Sequence, residues 1–447
     1  MRIESLGHES WMITSAQGIT LVDPLLNKEF GNSEKYVFKK LSHRKIRPEE
    51  LNRVTSAILT TEYFQHFDKK SIEALPKSAV IFISPTFSVD DASWIQSLKL
   101  KIVRPKYGQT FDVDGLECVF IPSSPSTVKW DIRVSSLAVG CVLEESLKWL
   151  FFQSDTAASP DVSKYIPKHW PRKPDLVTVT SHWKEHETPG FSSWDNLISP
   201  PATIADPRAA MFLVGSILPL KIFPLNIARR YAVCGGDYFK GERPLPKPIS
   251  DNSNLAEMAQ ALALNANIFR ARAGTVIDLV SDTIAQSPFE SSAAPEKPIE
   301  PFSVVEPHCE WDDIVDRQDL DKAMAKFGTA LLLSELGRHL LFCDEYLGRQ
   351  LGSRRFALTL VHASGHDAYE FCFAAGEFVR CSTTIDEQID LPAGLIVARS
   401  ALVDIQRQNC SAAEACSFNA VHWTTGPANT APLGLLYSTF GFGAVYQ

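Results

Sequence analysis

His182 and His186 stand four residues apart in Ser181-His182-Trp183-Lys184-Glu185-His186-Glu187, so a helical stretch would put both imidazoles on one face, where they could ligate a transition metal. The plainer reading is a polar, charged loop that exposes two histidines. His362-Ala363-Ser364-Gly365-His366 has the same spacing, but Gly365 beside a strand-like run makes a turn the more natural structure. No Gly-x-Ser-x-Gly elbow, P-loop or glycine-rich dinucleotide fingerprint is present, so those nucleophile and nucleotide chemistries have no footing. The nine cysteines are scattered without a Cys-x-x-Cys pair, which indicates neither a disulfide framework nor a zinc ribbon.

Short apolar runs separated by turn residues would have to position any such groups. Ser10 to Thr14 and Ile19 to Val22, joined by Ser15-Ala16-Gln17-Gly18, read as a hairpin. Further strands are predicted at 56–60, 79–83, 101–104, 116–121, 135–141, 147–152 and 176–180. A helix-compatible stretch spans Asn254 to Gln286, and Gln286 to Phe302, rich in Pro, Ser, Ala and Glu, reads as a linker. A long helical pattern then covers Leu320 to Leu351, followed by strands at 356–361, 369–374 and 377–382. No repeat of solenoid, propeller or duplicated-half type is visible.

At 447 residues the chain exceeds one ordinary core, and three segments are expected: a first domain at 1–245, a helix with linker at 246–302, and a C-terminal α+β module at 303–447. Hydrophobic residues at 45% and charged residues at 21% are ordinary for a soluble globular protein. A net charge of −8 without a basic run argues against a nucleic-acid partner. Met1 leads directly into Arg2-Ile3-Glu4-Ser5-Leu6, with no secretory signal pattern and no apolar run of membrane-spanning length, so the expected location is cytoplasmic.

Leu6-Gly7-His8-Glu9-Ser10, followed by Leu21-Val22-Asp23-Pro24-Leu25, resembles the opening of the metallo-β-lactamase fold superfamily, in its ascorbate-phosphate lactonase and N-acylphosphatidylethanolamine phospholipase branches. Phe151-Phe152-Gln153-Ser154-Asp155-Thr156 resembles the strand that ends in that family's metal-bridging aspartate, and Pro174-Asp175-Leu176-Val177 the next strand. The region 206–239 and the C-terminal module loosely resemble sequence near the CMP-N-acetylneuraminate hydroxylase domain. The resemblance implies an α+β fold, a metallo-β-lactamase-type αββα sandwich followed by a smaller α+β C-terminal domain.

It also implies a damaged metal site. Thr61-Glu62-Tyr63-Phe64-Gln65-His66 lies where the family carries His-x-His-x-Asp-His, and only the last histidine survives. Thr61 and Tyr63 are not usual zinc ligands, Gln65 supplies no carboxylate, and Pro122-Ser123-Ser124-Pro125-Ser126 offers only hydroxyls where a further histidine is expected. By the family pattern His66 and Asp155 would face one metal, helped by His182 or His186 from a loop at the site's edge. The structural alternative is that His66 hydrogen-bonds Asp155 and braces the old site. Asp23 is expected to cap its loop by accepting backbone hydrogen bonds, His8 to point into the pocket mouth, and Tyr63 either to pack or to serve as acid or oxyanion donor.

The leading expectation is therefore a degenerate member of the superfamily that binds a small molecule or acts as a scaffolding subunit. The competing one is a hydrolase or oxygenase with a reworked site, either metal-free acid–base or mononuclear, using His66, Asp155 and Tyr63. The cofactor is correspondingly none or one zinc, iron or manganese ion. As protein partner, either a second copy or an intact homologous subunit is expected.

Overall fold

The computed structural model describes residues 1–33, 35–40, 42–122, 135–143, 146–154, 162–171, 173–180, 228–235, 238–240, 267–287, 290–292, 315–342, 354–424 and 431–440. They form two compact units, one from the described residues up to 292 and one from those after 315.

The first unit opens with β1 (Arg2–Gly7), β2 (Ser10–Thr14) and β3 (Ile19–Val22), then the short strands β4 (Glu29–Phe30), β5 (Phe38–Lys40) and β6 (Ser42–Arg44). Next come α1 (Pro48–Leu51), β7 (Val54–Leu59), α2 (Lys69–Glu73), β8 (Val80–Ile83), α3 (Val89–Ser97) and β9 (Lys101–Val103). A second run follows: β10 (Thr110–Val113), β11 (Leu116–Pro122), β12 (Ser135–Leu143), β13 (Ser146–Phe152), α4 (Val162–Tyr165), β14 (Leu176–Thr180), β15 (Arg230–Cys234) and β16 (Tyr238–Lys240). The unit closes with β17 (Asn267–Arg270), β18 (Thr275–Asp278), β19 (Thr283–Gln286) and β20 (Glu290–Ser292).

Two mixed sheets result, β19-β18-β1-β2-β3-β7-β8-β9 and β10-β11-β12-β13-β14-β15-β17. Each contains an antiparallel meander, β1-β2-β3 or β11-β12-β13, that leads into parallel strands. The two sheets are thus built alike, although no repeat is legible in the sequence. Ile3, Trp11, Ile13, Val22 and Ile58 of the first face Phe120, Leu137, Val139, Leu150 and Phe152 of the second across one core. The other face of the first sheet, through Met12, Leu21, Leu59 and Ile81, packs on Ile72, Leu75, Ala92 and Ile95 in and beside α2 and α3. Trp170, against Trp149 and over Gly140, covers the outer face of the second sheet, and α4 lies against β11. The layering is helix, sheet, sheet, helix, the α+β arrangement expected. Both faces of the parallel strands are buried, so Ala57-Ile58-Leu59 and Val80-Ile81-Phe82-Ile83 read as continuous apolar runs.

The helix expected over 254–286 is corrected in its described part, which is the strands β17, β18 and β19. Asn267-Ile268-Phe269-Arg270 and Thr275-Val276-Ile277-Asp278 are β-branched and aromatic runs, and Gly274, at φ +81°, supplies the turn before the second. β17 pairs with β15 and β18 with β1, so these residues complete the two main sheets. Within the stretch read as linker, Glu290–Ser292 pairs with β6.

Arg44 is fully buried and joins three elements. Its Nε donates to Glu4 Oε1 of β1 at 2.7 Å, and its two Nη groups donate to both carboxylate oxygens of Glu50 of α1 at 2.9 and 2.8 Å. Burial alone would raise the Glu50 carboxyl, but hydrogen bonds from Arg44 and Arg47 outweigh it and hold it at about 2.

Among the described residues the second unit has a five-stranded sheet, with β21 (Ala357–His362), β22 (Gly365–Cys372), β23 (Glu377–Cys381), β24 (Ala393–Ala398) and β25 (Ala420–Thr424) in the order β23-β22-β21-β24-β25. The single helix expected over 320–351 is two within its described part, Arg317–Leu333 and Glu335–Leu341. Ser334 breaks the run by leaving helical geometry and capping the second helix, its hydroxyl accepting from Gly337 N at 2.9 Å. His362 pairs with Gly365 across the tight turn between β21 and β22, so His362-x-x-x-His366 is a hairpin, as its glycine suggests.

Candidate functional site

Parallel strand ends build the site. β3 and β7 lie side by side, and Asp23 N donates to Ile58 O at 2.9 Å, which sets Asp23 and Thr60 together just past the two strands. Asp23 is buried, with a φ of 46°, and its carboxylate accepts from Thr60 N at 2.8 Å and Thr60 Oγ1 at 2.6 Å. Asp23 thus accepts a backbone hydrogen bond, but from the end of β7 and not from the loop after its own strand. From the second sheet, Ser154, two residues past β13 and at φ 55°, donates its hydroxyl to Thr60 Oγ1 at 3.1 Å. His8, after β1, also has φ 55°. Three non-glycine residues in the left-handed region around one point cost on the order of 1–3 kcal/mol each, a pattern found at binding and catalytic sites.

His66 is 0% exposed, and its Nδ1 lies 2.9 Å from Asp23 Oδ2. Its Nε2 is 3.6 Å from Glu9 Oε2, which stands in the tight turn between β1 and β2. The described partner of His66 is therefore Asp23. Asp155, His182 and His186 lie outside the described residues. Tyr63 is buried in the same turn, its N–H donating to Thr61 Oγ1 at 3.3 Å and its carbonyl accepting from His66 N at 2.8 Å and Phe67 N at 2.7 Å. His8 is buried, and its ring begins an aromatic column through Phe30, Phe38 and Phe64 at centroid spacings of 6.1, 5.4 and 4.3 Å.

These residues do not fit the two-ion centre of the family pattern. Thr61, Tyr63 and Gln65 are all buried and bring no imidazole or carboxylate, and the Thr61 hydroxyl is used in its own turn. Among the described residues, no group of three or more His, Cys, Asp or Glu side chains is arranged to hold a metal. What stands there instead is an imidazole oriented by one carboxylate and approached by another, which is acid–base or ligand chemistry.

Sequence reasoning passed over Glu9 and Lys40. Lys40 of β5 is fully buried, and its ammonium donates to Leu25 O at 2.6 Å and Leu6 O at 3.4 Å, tying together the segments that carry Asp23 and Glu9. Burial lowers its pKa to about 7, against the pull of the Asp68 carboxylate, which raises it. Below about pH 7 both folded and unfolded chains hold this proton; from there to 10.5 the unfolded chain holds one that the folded chain has shed, so stability rises with pH. Urea midpoints of the full chain, measured from pH 6.5 to 10, should show this rise in the wild type and a smaller one in Lys40→Met.

No protein-family model matches the chain, and no curated protein matches it significantly. Solved structures do match. A possible metal-dependent hydrolase from Veillonella parvula is 14% identical, with 62% of this chain and 99% of that one covered and a TM-score of 0.41. An isothiocyanate hydrolase from Delia radicum gut bacteria is 16% identical over 62% and 99%, at a TM-score of 0.42. The metallo-β-lactamase fold protein YhfI from Bacillus subtilis is 10% identical over 62% and 99%, at 0.37. At such identities and TM-scores these likenesses carry no argument for an activity, and the α+β layering rests on this chain's own strands. No described helix is long and apolar enough to cross a membrane.

Proposed function

We propose that this chain is a metallo-β-lactamase-fold protein that has lost the usual dinuclear metal site and acts, in the cytoplasm, as a small-molecule-binding or scaffolding subunit. The observation that supports this reading is the state of the surviving histidine: His66 is sealed from solvent and held by Asp23, while the positions of its former companions are filled by Thr61, Tyr63 and Gln65. A two-metal hydrolase needs several nitrogen and oxygen ligands around ions about 3.5–4 Å apart with a position open to water. The Asp23–His66 pair favours a second reading, an enzyme with a reworked acid–base or single-ion site, because a carboxylate-oriented imidazole is the usual form of a general base.

The test uses the full chain with phosphoester, thioester and lactone reporters in the presence of zinc, iron or manganese. The expected result is no turnover that His66→Ala removes, with ligands found by thermal shift bound alike by wild type and variant. Metal-dependent turnover abolished in His66→Ala would sink the binding reading.

A further inference from the structure

We propose that Arg53, Lys77, Lys99 and Lys101 form a docking surface for an acidic, extended segment of a partner protein. They stand at the N-terminal ends of the parallel strands β7, β8 and β9, the opposite end from Asp23 and Thr60, so the surface is separate from the His66 site. Ser56, Val80 and Lys101 share one row of the sheet; Arg53 and Lys77 each precede that row by three residues, and Lys99 by two. Neighbouring strands are about 4.8 Å apart, so the four cations gather over roughly 10 Å of the sheet's end.

All four side chains are exposed, and among the described residues none of them makes an ion pair. Two carboxylates approach this end without neutralising it. Asp114 accepts from the Thr20 and Thr55 hydroxyls at 3.0 and 2.6 Å, and Glu73, the last residue of α2, is paired with none of the four. Lys99 follows the C-cap of α3 with a φ of 64°, a left-handed position that glycine or asparagine fills at less cost, so its ammonium is kept against the backbone's preference. Helix poles explain little of the cluster, because α1 and α2 have only 4 and 5 residues and Lys101 lies within a strand. The overall charge of −8 repels a large polyanion such as duplex DNA or an anionic bilayer. A short acidic segment meets only the local field, within a Debye length of about 8 Å at physiological salt. Side chains on one face of an extended chain recur about every 6.7 Å, so two or three carboxylates at alternate positions span β7 to β9.

The experiment titrates the full chain, at about 0.15 M salt, into a fluorescein-labelled peptide of alternating Glu and Ser and follows its anisotropy, with a Gln and Ser peptide as control. The expected result is binding of the acidic peptide alone, weakened roughly fivefold or more in Lys77→Gln with Lys99→Asn, where asparagine suits the left-handed backbone. Equal binding of the control peptide, unchanged affinity in the double variant, or no binding by the wild type overturns the proposal. Capture by phosphatidylserine vesicles or duplex DNA without peptide binding overturns it as well, since the surface would then serve another class of partner. Should the double variant not fold, Lys101→Gln decides: roughly twofold weaker peptide binding supports the surface, and unchanged binding overturns it.

Discussion

Arg44→Ala is expected to destabilise the first unit by about 3–5 kcal/mol, the usual cost of removing one partner from a buried ion-pair network. The guanidinium bridges Glu4, 1% exposed in β1, and Glu50 in α1 through three short hydrogen bonds, so truncation leaves these carboxylates without their buried cation and with only the part-exposed Arg2 and Arg47 beside them. Replacing all three together, Arg44→Met with Glu4→Leu and Glu50→Leu, should cost less than the single truncation because no charge is left buried. Urea unfolding followed through the buried Trp11 and Trp149 measures both. A single-variant loss under about 1 kcal/mol would contradict this account. The network also sets an acid limit: Glu50 is held at about 2 against an ordinary 4.5, so its contribution is complete above 4.5 and is lost as pH falls towards 2.

Asp23→Ala is the second large effect, expected at about 3–5 kcal/mol. The carboxylate accepts from Thr60 N and Thr60 Oγ1 and pairs with His66 Nδ1, and hydrogen bonds to a charged group are worth about 1.5–3 kcal/mol each when their partner is lost in a buried place. Asp23→Asn should cost roughly half as much, since it keeps an acceptor and asparagine tolerates the left-handed backbone that Asp23 adopts at φ 46°. The comparison separates the backbone's demand from the charge's. If Asn and Ala were equally costly, the charge would be what the site requires, and if both were harmless, the strand-end junction of β3 and β7 would not depend on Asp23.

Strands were the legible part of this chain because both faces of the first sheet are covered and its parallel strands carry unbroken apolar runs. Leu176–Thr180 is strand over the very residues read from the sequence. The helix read through 254–286 failed at Asn267 and beyond because a four-residue strand owes its form to its partners in the sheet, and the partner β1 of β18 lies more than two hundred residues away. Ser334 was legible in principle, as serine is a favoured N-cap and Glu335 follows it in the first turn, but helical periodicity on both sides hid it.

At the site, His66 and Asp23 could be picked out by motif, whereas their pairing could not, since 43 residues separate them and only the adjacency of β3 and β7 brings them together. Glu9 was hidden for another reason. An acidic residue in a turn usually reads as solvated, and nothing in His8-Glu9-Ser10 says that this turn is 4% exposed at Glu9 and faces an imidazole. Lys40 was passed over likewise, in a run of lysines that looks like surface charge.

The most direct test of the central claim is the metal content of the natively purified full chain, with zinc, iron and manganese quantified per chain by elemental analysis. The proposed loss of the dinuclear centre predicts no more than about one ion per chain, and none retained in His66→Ala. Two tightly held ions per chain, both lost in His66→Ala, would contradict it and restore the chain to the two-metal hydrolases.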